Sequence, residues 1–142
     1  MFLIYLAVLI YFLFFAGWYD HAPGKRWEYS YNLRPFREIM RFWNARRRLP
    51  VRKVFLNLFG NVIGFIPFGF FLPVISSEFK NGAKVAGICC VTSLLAELIQ
   101  IVTRTGSFDV DDIILNTLGA VCGYLLFLLC DAGRRRQKRR KL

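Results

Sequence analysis

The sequence predicts an all-α integral membrane protein with about four transmembrane helices plus an amphipathic interfacial helix. Three observations predict it. Of 142 residues, 56% are hydrophobic and 17% aromatic, more than an ordinary soluble domain carries. Four long stretches are nearly free of charge, and one shorter stretch has apolar residues at helical spacing with arginines opposite. The length allows one domain, residues 1–142, closed by a basic tail at 131–142.

The first apolar stretch, Phe2 to Tyr19, holds 18 residues without a charge, close to the ~20 helical residues that cross a hydrocarbon core. No lysine or arginine precedes it and no small-x-small site closes it, so it is expected to remain as an anchor rather than a cleaved signal. In "NLRPFREIMRFWN", Phe36, Ile39, Met40 and Trp43 fall at i, i+3, i+4 and i+7, with Arg37, Glu38, Arg41 and Asn44 opposite. This predicts a helix lying flat in the headgroup region, with Pro35 in its first turn.

Val54 to Ile75 is uncharged over 22 residues, although Pro67 and Gly69 interrupt it. It is expected to cross; the alternative is a broken, re-entrant segment. Val85 to Thr103 is apolar except for Glu97, Gln100 and a few hydroxyls, and Ile113 to Cys130 is uncharged over 18 residues. The tail "RRRQKRRK" is expected on the cytoplasmic side, touching anionic lipid headgroups rather than nucleic acid.

The net charge of +11 orients this arrangement weakly. With four crossings, the first and third loops carry ten and one Lys or Arg, against two in the second loop and seven in the tail. The re-entrant alternative collects all but one of these residues on the cytoplasmic side. The preferred reading keeps four crossings with both termini cytoplasmic.

Helical phase then groups the polar residues inside the apolar stretches. Asn57 and Asn61 align with Gly64 and Phe68, Ser93 and Glu97 with Gln100 and Arg104, and Asp109 and Asp112 with Asn116, Gly119 and Gly123. Four crossings bring the start of the second stretch, the end of the third and the start of the fourth to one membrane surface. An ionised Glu97 two turns inside costs ~2.5 kcal/mol or more unless paired. Asn57, Asn61 or Arg104, the last through Gln100, are its expected partners. Asp109 and Asp112 also suit a helix start. Three carboxylates, Asp109, Asp111 and Asp112, beside Glu97 exceed that need, and their mutual repulsion suggests a cation, a basic ligand group or proton chemistry. Gly119 and Gly123, with Ala120, would admit a close neighbouring helix.

Other chemistries are poorly supplied. Cys89, Cys90, Cys122 and Cys130 all lie in apolar stretches without metal-ligand spacing, and are read as small packing residues. The only histidine, His21, is remote from the polar groups, and no nucleotide-binding loop is present. No metal and no cofactor is expected.

"NLRPF" at 32–36, "NLFGNVIGFIPFGFFLP" at 57–73, "ELIQ" at 97–100 and "SFDVDDIILNTLGAVCGY" at 107–124 resemble, in order and spacing, the signatures of the VanZ-like membrane protein family. The resemblance covers about 32–124. It singles out Asn32, Pro35, Phe36, Asn57, Asn61, Pro67, Gly69, Glu97, Gln100, Asp109, Asp112, Asn116 and Gly119. One departure is that Gly106 stands where the family often has arginine, with Arg104 two positions earlier. The resemblance implies low-level resistance to teicoplanin, a lipid-tailed glycopeptide, without enzymes that rewrite its target. The expected function is therefore non-catalytic, with membrane lipids as partners and the lipoglycopeptide or a lipid-linked peptidoglycan precursor as ligand. Two alternatives stand beside it. One is an intramembrane enzyme on a lipid-linked wall intermediate, with Glu97 as base and Asp109 and Asp112 on a divalent cation. The other is a small proton-coupled transporter or flippase subunit, in which a homo-oligomer supplies the pathway.

Overall fold

The structure is a computed structural model that describes residues 1–15, 31–45 and 51–140, with side chains omitted at 15, 45 and 51–57. The expectations for residues 16–30, including His21, for 46–50 and for 141–142 lie outside the described residues, as does the Asn57 side chain.

The architecture is all-α: α1 (Phe2–Phe15), α2 (Arg37–Ala45), α3 (Val51–Ile75), α4 (Gly82–Thr103) and α5 (Val110–Arg139). Among the described residues three helices, α3, α4 and α5, are long and apolar enough to cross a membrane. The fourth apolar helix, α1, is shorter at 14 residues. At 1.5 Å per residue, the 25 residues of α3 run for about 37 Å, and the helix continues through Pro67 and Pro73. Pro67 therefore does not divide the segment, consistent with the tolerance of membrane helices for proline.

An addition that the composition did not announce is a two-residue parallel ladder, β1 (Tyr31–Asn32) with β2 (Phe108–Asp109). It pairs Tyr31 with Phe108 and Asn32 with Asp109. The first and third loops thus meet at one end of the bundle, where α5 begins, whereas a re-entrant α3 would separate them across the membrane.

Apolar attraction between helices is weak in lipid, so close backbone packing has to hold the bundle. The sequence supplies it on α3 and α5. A Cβ on Gly119 would collide with the Val62 carbonyl, one on Gly123 with the Ile66 carbonyl, and one on Gly69 with the Ala120 carbonyl. Against this seam packs a small buried core of Phe65, Phe68, Leu72, Val85, Cys89 and Ala120. Tyr5 on α1 donates to the Gly64 carbonyl at 2.8 Å, which ties the first helix to α3. Large apolar side chains such as Leu95, Val102 and Leu129 are exposed on the outer faces, as lipid contact requires.

Candidate functional site

Asn81 starts α4 by accepting from the Ala83 N–H at 2.9 Å. At its other end α4 stops at Arg104, whose left-handed backbone (φ 58°) turns the chain and returns its N–H to the Gln100 and Ile101 carbonyls. The Thr105 N–H also donates to the Gln100 carbonyl, at 3.0 Å. This tight reversal delivers β2 and then Asp109, the N-cap of α5, whose carboxylate accepts from the Asp111 N–H at 2.8 Å. The helix-start reading of Asp109 therefore accounts for part of its role.

Three polar residues from other elements close around that start. Glu97, only 3% exposed, accepts from the Asp109 N–H at 2.8 Å. Among the described residues its partner is thus a backbone group of the following loop, while Asn61 turns to Asp112 and the Gln100 amide to the Leu13 carbonyl. Asn32 donates from Nδ2 to Asp109 Oδ1 at 3.0 Å, beside the ladder, while its own oxygen accepts from the Arg34 N–H at 3.3 Å. Asn61 on α3 donates from Nδ2 to Asp112.

Asp111 is the functional candidate that phase reasoning missed. It is 1% exposed and accepts from the backbone N–H groups of Phe36, of Glu38 at 2.8 Å and of Ile39 at 3.1 Å. Those are orphan donors at the head of α2, so a carboxylate in the first turn of α5 caps a second helix. Phe36 has a left-handed backbone (φ 65°), and the turn at Arg34 closes on the Arg37 N–H at 3.3 Å. Pro35 therefore lies in the turn before α2, not in its first helical turn, because the chain must bend there to aim the N–H groups at Asp111. The available signal was a short amphipathic helix with no Ser, Thr, Asp or Asn immediately before it, together with one carboxylate more than α5 needs.

The remaining candidates separate. Asn116, one turn deeper on α5, donates to Ser93 Oγ at 2.7 Å and not to a carboxylate. Among the described residues its buried Oδ1 has no hydrogen-bond partner. Gln100 donates from Nε2 to the Leu13 carbonyl at 2.7 Å, holding α1 against α4. Arg104 contributes its backbone turn, as described above. Arg41 pairs with Glu38 on the same face of α2, at 3.0 Å.

Between α2 and the heads of α3 and α5 lies a cavity of about 190 Å³. Ile39 and Phe42 roof it, Leu58 and Leu115 form its apolar wall, and Asp109 and Asp112 line its polar side. The apolar stripe of α2 is consequently divided: Ile39 faces the cavity, whereas Phe36, Met40 and Trp43 are exposed. Burial raises the pKa of Asp109 above the ordinary aspartate value, opposed by the hydrogen bonds from Asp111 and Asn32 and reinforced by the Asp111 and Glu38 carboxylates. Among the described residues, no three His, Cys, Asp or Glu side chains are placed to hold a metal ion. The oxygens are directed instead at N–H donors, so the chemistry on offer is acceptance of hydrogen bonds from an amine, an amide or a hydroxyl.

A family model described as VanZ/LLP1 matches residues 2–131. The chain is also similar to "Protein VanZ" of Enterococcus faecium, with 37% identity over 84 residues, which is 59% of this chain and 52% of that protein. It spans about half the length of this curated relative. No solved structure matches.

Proposed function

Because the chain belongs to the VanZ/LLP1 family, we propose that it is a multi-pass protein of the bacterial cytoplasmic membrane that lowers susceptibility to lipoglycopeptide antibiotics of the teicoplanin type without turning over a substrate. The observation that carries this reading is the roofed cavity, whose hydrogen-bond acceptors Asp109 and Asp112 sit beside apolar Ile39 and Leu58. An acidic pocket with an apolar rim suits a ligand that presents an amine next to a lipid tail, or the polar headgroup of a lipid-linked wall precursor.

The length of α5 supports a cavity that faces outward. Its 30 residues are about 45 Å long, so a crossing α5 puts the carboxylates and the basic tail at opposite surfaces. With the tail in the cytoplasm, the cavity opens towards the wall, where lipoglycopeptides act.

The test is the minimum inhibitory concentration of teicoplanin in a susceptible host expressing the full chain, Glu97→Gln or Asp112→Asn. Protection is expected from the wild-type chain and not from the variants, all three accumulating equally in the membrane. Variants that protect as well as the wild type would remove the carboxylates from the function.

A further inference from the structure

The end of the bundle opposite the carboxylates carries a second cavity of about 260 Å³, in a groove between α3 and α5. Phe70 and Val74 of α3 and Phe127 of α5 give it an apolar floor that is continuous with the lipid-facing surface. Lys80, Asp131 and Arg134 stand at its polar end.

We infer that this groove binds one anionic phospholipid, its phosphate held by Lys80 and Arg134 and an acyl chain lying along Phe70, Val74 and Phe127. The backbone that carries Lys80 is set in place before any ligand arrives. Tyr124 donates to the Lys80 carbonyl at 2.6 Å. Gly82 lies so close to the Tyr124 ring that a Cβ there would be 2.9 Å from Cε1, so the loop rests on α5. The Lys80 backbone is thereby fixed, while its ammonium forms no hydrogen bond or ion pair among the described residues.

Arg134 is held by Asp131 at 3.1 Å, and Arg135 by the other oxygen of the same carboxylate at 2.8 Å. A guanidinium has five N–H donors, so Arg134 keeps donors to spare after that contact. Two cations, Lys80 and Arg134, against the one carboxylate among the lining residues leave the polar end positive, which selects a headgroup of net negative charge over a zwitterionic one. The apolar floor distinguishes a lipid from free phosphate. The site is separate from the carboxylate cavity and independent of the function proposed for it.

Native mass spectrometry of the full chain, released from detergent with phosphatidylglycerol or with phosphatidylcholine of the same acyl chains, tests the assignment. One phosphatidylglycerol per chain should be retained at least about tenfold better than phosphatidylcholine, and inorganic phosphate should not displace it. Lys80→Gln with Arg134→Gln should remove that preference. Val74→Trp, at a half-exposed position outside the buried core, should fill the groove and lower retention of both lipids. The triple variant Lys138→Gln, Arg139→Gln, Arg140→Gln should keep the bound lipid. Equal retention of the two lipids would overturn the proposal. So would a preference lost with the tail charges but untouched by Val74→Trp, which is diffuse electrostatics, or displacement by inorganic phosphate, or a groove closed by a second copy and seen as a lipid-free dimer.

Discussion

Asp111 serves two helices at once: it lies in the first turn of α5 and its carboxylate receives the leading N–H groups of α2. Each charge-assisted bond of this kind contributes ~1.5–3 kcal/mol, and a buried donor left without a partner costs ~1–3 kcal/mol. Asp111→Ala is therefore expected to release α2 from the bundle. Hydrogen exchange should report it as at least a tenfold loss of protection at Glu38 and Ile39, with α4 and the second half of α5 unchanged; equal protection in both proteins would refute the capping role. Asp109 gives a pH dependence. Its pKa is raised in the folded chain, so the folded state holds its proton more tightly and stability falls as pH rises from 3.8 through the folded value. Asp109→Asn, which retains an acceptor for Asn32 and for the Asp111 N–H, should flatten that part of a pH titration of thermal stability. A slope identical to the wild type would assign the titration to other groups. At this scale the sequence was only partly legible. Helical phase drew attention to Glu97, Asp109 and Asp112, since they share faces within their own helices. It could not find Asp111's partners, which lie more than 70 residues away and are backbone groups that no side-chain pattern reveals.

At the scale of elements, the α3–α5 seam bears most of the packing. Gly69, Gly119 and Gly123 each face a carbonyl of the opposite helix, so any side chain there must push two backbones apart. Overpacking commonly costs ~1–3 kcal/mol, and backbone collision lies at the upper end of that range or beyond. Gly119→Val or Gly123→Val should lower the aggregation temperature of the detergent-solubilised protein by several degrees or prevent its accumulation. Gly87→Ala is the control: nothing lies within 4 Å of its added Cβ, and it should behave as wild type. Equal behaviour of the Gly119 variant and this control would mean that the seam is looser than described. The stripe itself was readable, because small residues at helical spacing in an apolar stretch signal close approach. Its partner was not, since glycines on one helix do not say which neighbour they admit. The α2 pattern predicts one lipid-facing stripe of Phe36, Ile39, Met40 and Trp43, yet Ile39 turns towards the cavity, where Phe42, outside that stripe, joins it. An amphipathic period gives the width of an apolar face without saying how bilayer and protein divide it.

For the whole molecule, the decisive feature is that the first and third loops meet at one end while the basic tail emerges at the other. Composition and charge-free stretches were sufficient for the all-α membrane class, because the bilayer admits so few alternatives. Loop charges were nearly balanced and left the orientation weakly specified; the β1–β2 ladder adds which loops share a surface. The outward orientation of the carboxylate cavity is the premise of direct action on a lipoglycopeptide or its lipid-linked target. Ser107 lines the cavity and is exposed, and Gln137 is exposed near the end of α5. Ser107→Cys and Gln137→Cys, each in a chain with Cys90, Cys122 and Cys130 replaced, should be treated in intact cells with a membrane-impermeant maleimide. The account predicts labelling at 107 and none at 137 until the cells are opened. Protection at 107 together with labelling at 137 would place the cavity in the cytoplasm and contradict it.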